Sequence, residues 1–290
     1  MKPAFPTTPQ FLLGILAGLV VILISVPVSA HVTEENVFFP KGDVFDPIVA
    51  DPKEPRFFAS IHHFDNDIRS SFTGASVGYG ETFGLYRKRL SKDHAWQLSL
   101  RGGLFSQFDM NTSSNNLLNS DYTIGALWTY RYKNASMRLR AYHQSSHLGD
   151  ESARENPDLL YTATGFDYEA IDLLGAYEWE KLRFYGGLHY IAQIDSKGID
   201  RWGYQGGMEY HGTKQVVPYG VLVGGVDVKG FQALDWTPAY SVKAGLNFKN
   251  LGISDRYIQV MLEYYNGFIP FGQFYDYEME SYGLGVYFGF

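Results

Sequence analysis

The chain has 290 residues, with 24 basic and 31 acidic side chains, 22 Tyr, 21 Phe and 31 Gly. A net charge of −7 lacks the basic footprint of a nucleic-acid-binding protein, so no nucleic-acid partner is expected. With no Cys, disulfides, thiol catalysis and Cys-based metal sites are excluded, while abundant aromatics and dispersed glycines suit the half-buried strands of one β domain.

The first segment reads as an address. Lys2 supplies a positive charge, an apolar run follows from Phe11 to Val26, and Val28-Ser29-Ala30 offers small residues to a signal peptidase. The alternative, an uncleaved anchor, asks for ~20 apolar residues, more than this run provides. Residues 1–30 are therefore expected to be a signal peptide that directs export. Residues 31–55 contain Pro40, Pro47, Pro52 and Pro55, which disfavour helix interiors and central strands. This span is expected to be a periplasmic lead-in at one end of the domain, either a partial plug or a plain linker.

From Arg56 onward the pattern is strand, break, strand. Candidate strands cover 56–64, 74–88, 94–108, 120–132, 135–148, 164–179, 182–194, 202–211, 216–228, 237–248, 256–266 and 280–290. Most have the length of a tilted transmembrane strand, about 9–11 residues plus overhang. In 182–194, Leu182, Phe184, Leu188, Tyr190, Ala192 and Ile194 share one face, opposite Arg183, His189 and Gln193. In 164–179, Ile171, Leu173, Tyr177 and Trp179 oppose Asp172 and Glu178. Short breaks near 91–93, 133–134, 180–181 and 212–215 alternate with longer ones near 109–119, 149–163, 195–201, 229–236 and 267–279. The expected fold is all-β: an antiparallel transmembrane β-barrel of about twelve strands over 56–290, with short periplasmic turns and long extracellular loops. Trp96, Trp128, Trp179 and Trp202 fit its interfacial girdles.

The final strand sets Tyr282, Leu284, Val286, Phe288 and Phe290 on one face, against Gly283, Gly285, Tyr287 and Gly289. A terminal aromatic after alternating apolar residues resembles the assembly signal of outer-membrane barrels. That resemblance implies barrel-assembly machinery, outer-membrane lipid and lipopolysaccharide as partners, and the cell outer membrane as location. The lead-in and the run from His143 to Glu151 together resemble an exported bacterial family known as domain of unknown function 1207. This resemblance implies a barrel and no particular activity.

One cluster could carry chemistry. By parity, His143, Ser145 and His147 share the lipid-facing side of 135–148, because Arg138 and Arg140 mark the other side as lumenal. A serine hydroxyl needs a base to become a nucleophile, and a His two residues away on one strand face can reach it. Glu169 or Asp167, of lipid-side parity on the next strand, would orient that base. The His-x-Ser pattern resembles outer-membrane phospholipase A and the lipid A deacylase. That resemblance implies His143 as base, Ser145 as nucleophile and Glu169 as orienting acid. Phospholipase A continues with Asn-Gly where this chain has Ser146-His147, and its orienting residue is an Asn. The bland alternative is a set of polar residues tolerated at a strand end, where a charge costs only ~0–1 kcal/mol. Asp150, Glu151, Arg154 and Glu155 are then solvated loop charges or part of a divalent-ion site bridging lipopolysaccharide, with His147, Asp150 and Glu151 as the binding candidates.

His62 and His63 point to opposite faces of a strand and are read as structural. No phosphate loop or zinc helix motif appears, so no cofactor or resident metal is expected. Two functions remain open: a barrel that is structural or a narrow pore, and an outer-leaflet lipid ester hydrolase.

Overall fold

The computed structural model describes residues 35–68, 71–150, 154, 166–194, 199–249 and 256–289. The expected signal peptide, Glu151 and Phe290 lie outside the described residues. Thirteen strands are present among the described residues: β1 (Glu35–Phe38), β2 (Phe57–Asn66), β3 (Phe72–Ser91), β4 (His94–Asp109), β5 (Asn116–Tyr132), β6 (Ala135–Leu148), β7 (Tyr168–Trp179), β8 (Leu182–Ile194), β9 (Trp202–Val217), β10 (Gly220–Phe231), β11 (Ala239–Phe248), β12 (Tyr257–Phe268) and β13 (Glu278–Gly289).

Each strand from β2 to β13 pairs antiparallel with the next, and β13 returns to β2, with Tyr282 opposite His63 and Phe288 opposite Phe57. The sheet thus closes into a twelve-stranded barrel, and closure removes its open edges. β1 stands outside the ring. It adds to β3 near the short-turn end, Glu35 opposite Arg89, beyond the point where β2 begins.

Alternation decides which way each side chain faces. Leu139, Ile171, Leu173, Phe184, Leu188, Leu262 and Leu284 are all exposed, whereas Arg138 and Arg183 are among the largest fully buried side chains. A water-soluble core would have the reverse distribution. Apolar outside and polar inside is the distribution of a membrane barrel.

Two sequence expectations shift in register. The break expected at 212–215 is continuous strand, and the hairpin turns at Pro218-Tyr219. The pairing slips between Val221 and Val223, so the extra residues are absorbed as an irregularity in β9. A second slip between Glu169 and Ala170 sets Gln193 opposite Glu169, taking it out of the row of Arg183 and His189. Periodicity of two cannot anticipate an inserted residue.

The lead-in enters the lumen. Arg87 Nη2 donates to the carbonyls of Lys41 and Gly42 at 3.1 and 2.9 Å. The Val49 amide donates to Glu209 Oε1 at 2.6 Å. Lys229 Nζ binds Asp51 Oδ1 at 2.7 Å, and Lys53 binds Asp121. Glu54 receives Arg101 and Arg138 at 2.7 and 2.9 Å, and Arg56 reaches Gln259. These partners lie on β3, β4, β5, β6, β9, β10 and β12, so the segment runs through the middle of the ring. It rises from the short-turn end, bends at Pro52-Lys53 and returns to β2.

Two glycines make room for it. A Cβ on Gly80 would sit 2.5 Å from the Pro55 carbonyl carbon, and one on Gly84 would sit 2.6 Å from the Pro40 oxygen. Phe45 is fully buried beneath the guanidiniums of Arg138 and Arg183, 5.1 and 4.5 Å from its ring centre. Such contacts favour desolvated cations over aromatic faces. Burial alone would raise the Glu54 carboxyl; the Arg138 and Arg101 charges outweigh it and hold it below its ordinary 4.5.

At the long-loop end, the β12–β13 connection folds inward. Phe271 and Phe274 pack with Phe64, Phe72 and Met279, and the Gly272 amide donates to Asp121 Oδ2 at 3.1 Å. Asp121 therefore links the lead-in, the barrel wall and a loop.

Candidate functional site

The outward surface carries a polar patch near the long-loop end. It is built by register. Ser106 faces Ser120, Ser120 faces His147, Tyr122 faces Ser145, and His143 faces Glu169. The patch therefore crosses β4 to β7 at one level. Its lumenal neighbours are Gln144 and Ser146, both buried, which fixes His143, Ser145 and His147 on the opposite, outer face.

His143 and Glu169 meet. His143 Nδ1 lies 3.1 Å from Glu169 Oε1, and that carboxylate is only 4% exposed. With that carboxylate accepting from Nδ1–H, Nε2 is the ring nitrogen left to act as a base. Ser145 Oγ lies 2.9 Å from His147 Nε2, and the His147 ring stands edge-on to Tyr122 at 5.8 Å. Ser145 is thus flanked on its own strand face by two imidazoles, bonded to the later one.

Of the three residues named from sequence, the structure joins His143 to Glu169, while Ser145, on the same strand face, is bonded to His147 instead. The choice between His143 and His147 depends on the Ser145 rotamer, which strand parity leaves open. Asp167 lies before β7, off the ladder that pairs Glu169 with His143. Asp150 is exposed just beyond β6. Ser106 and Ser120, whose hydroxyls are 2.7 Å apart, extend the patch beyond the cluster read from sequence. Their outward parity was available, but no chemistry distinguished them there.

A second Ser, His and Glu group sits in the lumen. His62 Nε2 lies 3.0 Å from Ser60 Oγ and 3.3 Å from Glu263 Oε2. Both contacts fall on the same ring nitrogen, and Nδ1 is buried without a partner among the described residues. A relay needs the base and the orienting acid on opposite nitrogens, so this group is structural. His63 is on the outer face, its ring 5.2 Å from that of Tyr282. Tyr282, Leu284 and Phe288 are exposed on the outer face with Val286 of the same parity.

The chain is similar in structure to outer membrane phospholipase A from Escherichia coli, with a TM-score of 0.57 at 13% identity, covering 84% of this chain and 93% of that one. The Salmonella typhi outer membrane phospholipase dimer with bound calcium gives a TM-score of 0.57 at 11% identity, covering 81% and 91%. At these identities the likeness is one of fold. A KdgM porin is a looser match, with a TM-score of 0.40 at 9% identity, covering 80% and 99%. No curated protein matches the sequence. The sequence profile described as "Protein of unknown function (DUF1207)" matches residues 21–290, and the chain belongs to that family.

Proposed function

We propose that this protein is exported to the outer membrane, exposes its long loops outside, and hydrolyses lipid esters at the outer leaflet with Ser145 as nucleophile. The observation that carries the reading is the His143–Glu169 pair at 3.1 Å, set beside Ser145 on the apolar outer face. An ionisable pair within the wall of a membrane barrel is a functional-site candidate by default. The fold shared with outer membrane phospholipase A, a protein named for phospholipid hydrolysis, supports the same reading.

In this mechanism Ser145 Oγ turns from His147 towards His143. His143 Nε2 takes the hydroxyl proton as Oγ attacks the ester carbonyl, and Glu169 stabilises the imidazolium through Nδ1–H. The protonated His143 then gives its proton to the departing alcohol oxygen. Water, deprotonated by the same nitrogen, attacks the acyl carbonyl, and His143 returns that proton to Ser145 Oγ as the fatty acid leaves.

The test is fatty-acid release from phospholipid mixed micelles by refolded protein. Ser145→Ala and His143→Ala should each lose on the order of 10³-fold or more, while His147→Ala keeps most of the rate. Full activity in Ser145→Ala would remove this mechanism. A narrow pore is the competing role, and the lead-in inside the lumen argues against it. Purified protein in planar bilayers should show no conductance steps; regular steps would favour the pore.

A further inference from the structure

Above the lead-in the lumen is not filled. Two abutting chambers, of ≈120 and ≈110 Å³, lie between Pro52 and the inward-folded β12–β13 loop, and both are lined by Tyr168, His189, Lys229 and Phe231. A cavity of about 150 Å³ accommodates benzene, so the pair has room for a ring and a short polar arm. The upper chamber is walled mainly by apolar groups such as Phe166, Ile191 and Leu234. The lower one carries Lys53, Arg140 and Lys229 against Asp51 and Asp172.

The charges around these chambers do not balance. Arg140 is paired with Asp172, Lys229 with Asp51, and Lys53 with Asp121. A fourth carboxylate, Asp227, accepts only uncharged donors: Tyr185 Oη at 2.7 Å and Gln205 Nε2 at 2.8 Å. Deeper in the lumen, Arg101 and Arg138 are matched by Asp43 and Glu54. Asp227 is therefore a buried negative charge in excess, and it lies in the wall of the upper chamber together with the exposed Asp200.

One polar acceptor also lacks a partner. Arg140 directs both Nε and Nη2 at Asp172 Oδ2, at 2.7 and 2.5 Å, and Oδ1 is buried without a partner among the described residues. Leaving such an acceptor unsatisfied is costly. His189 faces Asp172 across the β7–β8 pair. Its ring centre lies 6.1, 6.5 and 5.6 Å from those of Tyr142, Tyr168 and Phe231. Aromatic faces around a desolvated site attract cations.

We propose that the two chambers bind a small organic ammonium compound. Its charged head lies where the two chambers meet, donating to Asp172 Oδ1 on the lower side with Asp227 on the upper side as the compensating charge, and its apolar body extends into the upper chamber. A single water would satisfy Oδ1 but not the charge, and a bare metal ion would leave the apolar chamber empty. The site is lumenal, on the other side of the wall from Ser145, and independent of the hydrolysis reading.

The experiment is calorimetric titration of folded protein in a nonionic detergent with phenethylamine, 2-phenylethanol and 3-phenylpropanoate. Phenethylamine should bind saturably, one per chain, at least tenfold more tightly than either of the others. Asp227→Asn should weaken it about tenfold, and Leu234→Trp should block it by filling the upper chamber. Asp172→Asn is the direct variant but strands Arg140, so the other two carry the test if it fails to fold. Absence of saturable binding, equal or tighter binding of 3-phenylpropanoate, or phenethylamine affinity unchanged in both Asp227→Asn and Leu234→Trp would overturn the proposal. No hydrolysis is measured, so failure here leaves the Ser145 mechanism standing.

Discussion

Glu54 is the residue on which the lumen turns. It is 2% exposed and accepts from both Arg101 and Arg138, themselves almost wholly buried. Removing one member of a buried ion network leaves the others charged in a low dielectric, at about 3–5 kcal/mol. Glu54→Gln is therefore expected to destabilise the barrel by about that amount, read as a fall in the temperature at which gel mobility converts from folded to unfolded. A shift near zero would show that water reaches the two arginines. At the same scale, the outer patch was only partly legible. Parity placed His143, Ser145 and Glu169 on one face, because face follows directly from residue count. Which imidazole Ser145 chooses depends on a side-chain rotation, and sequence carries no signal for it.

At the scale of elements, β6 and β8 occupy the ranges read from alternation, 135–148 and 182–194. Both are bounded by two-residue turns, at Lys133-Asn134 and Glu180-Lys181, where Lys133 and Glu180 take φ of 54° and 55°. Polar residues at a tight turn interrupt the pattern clearly. β9 runs past the expected break because Gly212-Thr213-Lys214-Gln215 has turn composition yet forms an irregular strand. The lead-in was the least legible element. Its prolines exclude regular structure but say nothing about where an irregular segment goes, and its destination is set by charges on seven distant strands. Those charges give it an acid limit. For both Asp51 and Glu54, burial raises the carboxyl, but Lys229 in one case and Arg138 with Arg101 in the other lower it further, below the ordinary 3.8 and 4.5. A carboxylate with a depressed folded value contributes stability above its unfolded value and loses it as pH falls through the folded one. Thermal stability is thus expected to be flat from about pH 8 to about pH 5 and to fall below about pH 4. The doubly substituted Asp51→Asn, Glu54→Gln protein should show a shallower acid limb; an unchanged limb would assign it to other groups.

For the whole molecule, the inverted distribution of polarity predicts a depth profile. Leu173 sits mid-strand, opposite Leu139 and Leu188, at the centre of the apolar belt. Trp179 closes the same strand at the short-turn end. An arginine at the midplane of a barrel costs ~2–4 kcal/mol, and near the interface ~0–1. Leu173→Arg should therefore cost several times as much as Trp179→Arg when refolding into lipid vesicles is titrated with denaturant. Equal costs would place the belt elsewhere on the barrel.

The path of the lead-in has a mechanical consequence. Pro40 and Pro55 pass the same strand, against Gly84 and Gly80, and the bend between them lies at Pro52-Lys53. Both legs leave by the short-turn mouth, one towards β1 and the other into β2. The segment is a bight, not a thread. It can be drawn out from that mouth without opening the seam between β13 and β2 and without passing a chain end through the ring. What resists withdrawal is a series of ion pairs ranked along the pull. The four pairings of β1 with β3 act as a latch on the upstream leg, so the pull must release them before it reaches Glu54.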